Sequence, residues 1–68
     1  VVLGDVDGDG KVNNIDAALV YAYHNKKSAL TEDQLAAADV NGDGKVDNMD
    51  AALIYAYHNK KLPKFPAA

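Results

Sequence analysis

The chain is a duplication, and that constrains its fold more than any other feature. Residues 4–27 read GDVDGDGKVNNIDAALVYAYHNKK and residues 38–61 read ADVNGDGKVDNMDAALIYAYHNKK, so 19 of 24 aligned positions are identical at a 34-residue period. The pairs that differ are Gly4/Ala38, Asp7/Asn41, Asn13/Asp47, Ile15/Met49 and Val20/Ile54. A tetratricopeptide array shares the period, but it needs two helices per repeat and more copies. Here each unit opens on a Gly- and Asp-rich loop instead. The 68 residues make one small domain: repeat one over 4–27, a linker helix over 31–38, repeat two over 38–61 and a C-terminal tail over 62–68.

Charge is concentrated where the repeats begin. Of the 10 acids, eight (Asp5, Asp7, Asp9, Asp16, Asp39, Asp43, Asp47 and Asp50) fall in the windows 5–16 and 39–50. A solvated acidic surface spreads its charge to limit self-repulsion, so this density asks for counter-ions. The net charge of −3 would become about +1 with two divalent cations bound. All seven positive charges are lysines and form no basic patch, which argues against a nucleic-acid partner. No apolar run approaches the roughly 18 residues that a membrane span needs, so no membrane insertion is expected. The sequence opens at Val1-Val2-Leu3 with no signal-peptide pattern, as expected of a module cut from a longer protein. A core in so short a chain rarely supplies more than about 3–5 kcal/mol. With no cysteine for disulfides, metal is the remaining common staple.

The loops have the spacing that calcium requires. Asp5, Asp7, Asp9, Asn13 and Asp16 put side-chain oxygens at loop positions 1, 3, 5, 9 and 12, with Gly10 at the sharp turn of position 6. Asp39, Asn41, Asp43, Asp47 and Asp50 repeat the pattern around Gly44. Lys11 and Lys45, at position 7, would each offer a backbone carbonyl. Both loops end in Asp where Glu is usual, one methylene shorter, which implies either weaker binding or a tighter closure. Val12 and Val46 at position 8 are expected to pair as short extended segments and bury their side chains between the loops. Magnesium suits an all-protein oxygen cage less well than calcium. Only Val1–Gly4 precede Asp5, too few for an entering helix, so a sensor that changes the angle between two flanking helices loses support.

Helices are expected over Ile15–Lys27 and Met49–Lys61, which lack Gly and Pro, with the terminal lysines favoured at the C-terminal dipole and Pro63 stopping the second. Thr31-Glu32-Asp33-Gln34 forms a capping box that starts a short helix between the repeats. Each long helix carries two apolar stripes: Ala17, Val20, Tyr21 and His24, with Ala51, Ile54, Tyr55 and His58 in repeat two, and Ile15, Ala18, Leu19, Ala22 and Lys26, with Met49, Ala52, Leu53, Ala56 and Lys60. The first stripe is expected inside. The second starts within the metal loop and is expected to meet a partner, whose backbone its alanines let come close. Tyr23 and Tyr57 are expected at the rim of that face. His24 and His58 stand alone near helix ends and read as dipole-favoured rather than metal-binding. Phe65 and the tail prolines are expected against Val1–Leu3.

Two loops of the form D-x-[DN]-x-D-G-x-V-[ND]-x-x-D, each followed by one helix, resemble a dockerin across about residues 4–61. That resemblance implies an all-α fold: a small duplicated EF-hand-like (F-hand) calcium loop–helix pair with a short linker helix and a pseudo-two-fold axis. It implies two calcium ions as cofactors and a cohesin module of a scaffoldin or anchoring protein as partner. It also implies a secreted, extracellular or cell-surface-attached cellulosome as location. The family's recognition positions fall here on Asn14 and Ile15, and on Asn48 and Met49. The near-identity of the two stripes suggests that one partner binds through either helix. The free module is expected to be monomeric. No nucleophile stands beside a base and every clustered carboxylate is assigned to metal, so no catalysis is expected. The alternative is a stand-alone EF-hand calcium buffer or signalling domain.

Overall fold

The computed structural model describes residues 2–67 and contains three helices: α1 (Asn14–His24), α2 (Glu32–Ala38) and α3 (Asn48–His58). Their starts follow from side chains that satisfy free amides. At α1, Asn13 caps with its side chain while Asp16 reaches back to the Asn13 N–H at 2.9 Å. Asp47 and Asp50 repeat the arrangement at α3. At α2, the Thr31 N–H donates to Gln34 Oε1 at 2.9 Å and the Gln34 N–H to Thr31 Oγ1 at 3.2 Å, the expected capping box.

The long helices stop earlier than expected, at His24 and His58. Lys26 and Lys60 both take φ of 62°, the left-handed conformation that ends a helix. The Lys27 N–H then donates to the Ala22 carbonyl at 2.8 Å and the Lys26 N–H to the Tyr23 carbonyl at 3.0 Å. Lys61 and Lys60 close onto Ala56 and Tyr57 in the same way. This paired closure usually carries glycine at the left-handed position, and lysine there leaves no stop signal in the sequence.

α1 and α3 pack against each other around Ala17, Val20, Ala51 and Ile54. Val6 and Val40, at position 2 of each loop, are buried with them. Val12 lies beside Tyr57 and Leu62, and Val46 beside Tyr23, so each loop sits at the last turn of the other repeat's helix. The two helices therefore run antiparallel. No strand or bridge occurs among the described residues, so the expected pairing of Val12 with Val46 does not form. Both valines are only half-buried, each committed to the opposite helix's tyrosine rather than to the other valine.

The tail is ordered around Phe65. Its buried ring stacks on Tyr57, with centroids 4.6 Å apart and planes at 25°. It covers Gly4, where a Cβ would fall 2.6 Å from the ring. The Ala67 N–H donates to the Val40 carbonyl at 3.0 Å, and the Gly4 N–H to the Ala37 carbonyl at 2.8 Å. Leu3 joins the same core, while the expected contact with Val1 lies outside the described residues.

Phe65→Ala is expected to lower stability by about 3 kcal/mol or more, measured by chemical denaturation in calcium. Lys60→Gly relieves a left-handed lysine and should raise it by about 1 kcal/mol.

Candidate calcium loops and docking face

Each loop closes on the carboxylate at its last position. Asp16 is fully buried; its Oδ1 accepts the Val6 N–H at 2.9 Å and the Asp7 N–H at 3.1 Å, and its Oδ2 the Asn13 N–H. Asp50 is equally buried, with Asn41 and Asp47 as its backbone donors. Of the two consequences of a terminal Asp, the geometry matches tighter closure: the shorter side chain draws both ends of the loop onto itself. At the loop entrance, Asp5 accepts the Gly8 and Gly10 N–H groups at 3.1 and 3.0 Å, which folds the chain back over one carboxylate.

This folding gathers the acids. Asp5, Asp7, Asp9 and Asp16 bring carboxylate oxygens within 4.8 Å of one another, and so do Asp39, Asp43 and Asp50. Oxygens on opposite sides of a calcium ion stand about 4.6–5.2 Å apart, so both clusters fit that coordination sphere. A second observation fits the ion independently: Asp39 Oδ1 is buried with no hydrogen-bond partner. An unpaired buried carboxylate oxygen is costly, and a bound cation would satisfy it. Asn41 stands at the second loop with its Oδ1 accepting the Asp43 N–H at 3.2 Å.

Position 9 behaves differently. Asn13 and Asp47 direct a side-chain oxygen to the Ile15 and Met49 N–H groups at 3.0 and 3.1 Å, capping the helices. Asp47 accordingly stands outside the three-carboxylate cluster. Its route to an ion would run through water, as is common at this position. Lys11 and Lys45 donate their N–H groups to Asp9 and Asp43 at 2.9 Å, and their side chains are exposed.

Lost hydration, more than the crowding of the acids, raises two of them. The Asp7 carboxyl is pushed up to about 6, first by lost hydration and then by the neighbouring Asp9 and Asp16 carboxyls. Asp50 is also raised, by burial first and then by the charges of Asp47 and Asp39. Asp9 is lowered, chiefly by the Lys11 N–H.

The outer face differs from the expected stripe. Tyr21 and Tyr55, expected inside, are 56% and 55% exposed, and His24 and His58 are exposed as well. Leu19 and Leu53, expected at the partner face, are half-buried against the core. The reason is angular. Ala17 and Ala51 let the helices approach closely, so the interior is filled by Val20 and Ile54; the next residue points about 100° away. Tyr57 is half-buried beneath Phe65, and Tyr23 is half-buried beside Val46 and Leu35. Ala22 and Ala56 are also half-buried, whereas Asn14, Ile15, Ala18 and Lys26 are exposed, as are Asn48, Met49, Ala52 and Lys60. Between α1 and α3 the surface forms a shallow, largely apolar groove of about 550 Å³ lined by Asn14, Ala17, Ala18 and Tyr21 with Asn48, Ala51, Ala52 and Tyr55. The signal for the tyrosines was their place on an apolar stripe, but periodicity alone does not say which stripe faces in.

The fold and loops define a duplicated F-hand module. Residues 3–59 match the profile of the dockerin type I domain, and the chain belongs to that family. Among solved structures, two similar ones are complexes of the ScaB dockerin with the third cohesin of ScaC from Acetivibrio cellulolyticus. One carries a mutation in the dockerin's C-terminal helix (38% identity, TM-score 0.93, covering 98% of this chain and 94% of that one). The other is mutated in the N-terminal helix (40% identity, TM-score 0.91, covering 96% and 92%). A type I cohesin–dockerin complex of Clostridium thermocellum is also similar, at 32% identity and TM-score 0.86, covering 97% of each chain. The comparison with curated proteins found no match.

Calcium uptake by the first loop should weaken below about pH 6, where the ion must displace the Asp7 proton. Titration calorimetry is expected to show affinity rising with pH and then levelling; a flat profile between about pH 5 and 7 contradicts this. For the metal-free fold the sign is opposite. Between 3.8 and about 6 the native Asp7 binds more protons than the unfolded one, so its contribution to stability falls as pH rises through that window.

Proposed function

We propose that this chain is a non-catalytic docking module that holds two calcium ions and binds a cohesin, so anchoring its parent protein into an extracellular cellulosome. Family membership supports the partner class, since the similar solved dockerins are in complex with cohesins. The observation that carries the reading is the duplicated face: Asn14, Ala18 and Tyr21 on α1 are matched residue for residue by Asn48, Ala52 and Tyr55 on α3. An apolar surface of this kind, exposed on so small a domain, is suited to a protein partner. A calcium buffer would leave it without a use.

The two ions would sit in the carboxylate clusters, held by Asp5, Asp7, Asp9 and Asp16 and by Asp39, Asn41, Asp43 and Asp50, with the Lys11 and Lys45 carbonyls completing the loops. Because both helices start inside these loops, ion binding would set the position of both halves of the face. The metal would contribute folding energy as well. At free calcium a hundredfold above a site's dissociation constant, each site adds about 2.7 kcal/mol. Excess EDTA should therefore melt the helices by far-UV circular dichroism, and unchanged helicity would refute the linkage.

Antiparallel packing of near-identical helices lets one cohesin dock in either of two orientations related by a half-turn. Ile15 and Tyr21 would anchor one, Met49 and Tyr55 the other, with Lys26 or Lys60 at the rim. A relative captured with cohesin after alteration of either its N-terminal or its C-terminal helix fits interchangeable faces. These exposed residues separate binding from folding better than Leu19 and Leu53, which pack on the core. Calorimetry against type I cohesins in calcium should show that Ile15→Ser with Tyr21→Ser leaves affinity nearly intact, as does Met49→Ser with Tyr55→Ser, while all four together abolish binding. Loss of binding in either pair alone would leave a single-orientation module.

A further inference from the structure

Asn41-Gly42 is the only Asn-Gly pair in the chain, and it lies inside the second calcium loop. Asn-Gly is the dipeptide most open to ring closure, because glycine has no side chain to block its own nitrogen. Three structural features add to this. Gly42 is exposed, with φ of 70°. In loop one the equivalent Gly8 N–H is tied to Asp5 Oδ1 at 3.1 Å, whereas Asp39 Oδ1, which would hold Gly42, has no hydrogen-bond partner. The Gly42 nitrogen therefore lacks the tether that its counterpart has. The Asp43 N–H also donates to Asn41 Oδ1 at 3.2 Å, within a turn whose ring contains both Asn41 Cγ and the Gly42 nitrogen. That donor faces the oxygen on which negative charge grows as Cγ is attacked.

We infer that Asn41 is a site of spontaneous deamidation and that calcium in the second loop protects it. Hydroxide removes the Gly42 N–H proton, and the nitrogen attacks Asn41 Cγ. The side-chain nitrogen takes up a proton and leaves as ammonia, closing a succinimide. Water then opens the ring. Addition at Cγ gives an ordinary aspartate at this position, and addition at the main-chain carbonyl gives isoaspartate; nothing is oxidised or reduced. An ion ligated by Asn41 Oδ1 holds the side chain toward the metal, and ring closure would have to break that bond. The protection rests on the calcium reading above.

The two products differ in consequence. Aspartate gives the second loop the acid that Asp7 already supplies in the first, a residue the loop accommodates. Isoaspartate lengthens the backbone by one carbon between residues 41 and 42, which moves Gly44 and the Lys45 carbonyl out of register with the ion. A module starved of calcium would thus lose its second loop, and with it the α3 half of the docking face, before its first.

The experiment incubates the whole domain in warm, mildly alkaline buffer with calcium or with EDTA, and follows each asparagine by peptide mass mapping with an isoaspartate assay. Calcium uptake is measured by calorimetry on the same sample. Amide loss is expected first at Asn41, slowed by about tenfold or more in calcium. Asp39→Ala, whose side chain makes no hydrogen bond to Asn41, is run in calcium and empties the second loop while the first stays filled. It should deamidate fast at Asn41 while remaining helical by circular dichroism, which separates loop occupancy from global unfolding. Equal rates in calcium and EDTA with calcium uptake confirmed, first loss at another asparagine, or a slow Asp39→Ala variant would each overturn the inference alone. Absence of calcium uptake would overturn both it and the calcium reading.

Discussion

The structure depends on one carboxylate used twice in each repeat. Asp16 is the last residue of its loop and the third of its helix, and Asp50 is the same in repeat two. Each is fully buried yet takes backbone N–H groups from both ends of its loop. A buried carboxylate with this many backbone donors fixes the loop entrance relative to the first helical turn. Loop shape and helix start are thereby one constraint. A longer Glu at this place would reach the ion differently and would leave the capping geometry to another residue.

Small size makes that constraint decisive. The interior consists mostly of valines and alanines with Ile54 and Phe65, a core that supplies little energy by itself. Lost hydration, with the charge of neighbouring carboxylates, raises Asp7 and Asp50, a cost that a bound cation would offset. The same clusters hold the last loop residues from which α1 and α3 start. A docking face built on those helices would then depend on ions in both loops.

The loops and helix starts were legible because calcium and helix caps both impose strict spacing on oxygen-bearing residues. The linker helix was legible from Thr31 and Gln34 for the same reason. Helix ends were not, because Lys26 and Lys60 occupy a left-handed position that usually carries glycine. The two apolar stripes were visible, but their assignment needed the third dimension: Leu19 and Tyr21 are both apolar enough to go inside, and the close approach at Ala17 and Ala51 decides between them. The roles of Val6 and Val40 were hidden because each is a single valine within an acidic loop. Phe65 was expected near the N-terminal residues, but its stack on Tyr57 was not legible, because a proline separates the two and no local pattern pairs them.

The few positions at which the repeats diverge show where the symmetry must yield. Gly4 lies under the Phe65 ring and has no room for a Cβ, while its counterpart Ala38 ends the linker helix and is buried in the core. The tail thus bridges the repeats unequally, with its ring over Gly4 of the first and against Tyr57 of the second. In the loops, Asp7 and Asn13 exchange types with Asn41 and Asp47, so each loop keeps four aspartates. The exchange moves one charge from the crowded cluster to the helix cap, where an acid is favourable at the positive end of the dipole. Along the groove the two copies are identical at Asn14, Ala17, Ala18 and Tyr21, and only Ile15 and Met49 differ beside it. Apart from the buried Val20/Ile54 pair, asymmetry has therefore entered at the tail and the ion sites, and on the surface that a partner would read it is confined to the conservative exchange of Ile15 for Met49.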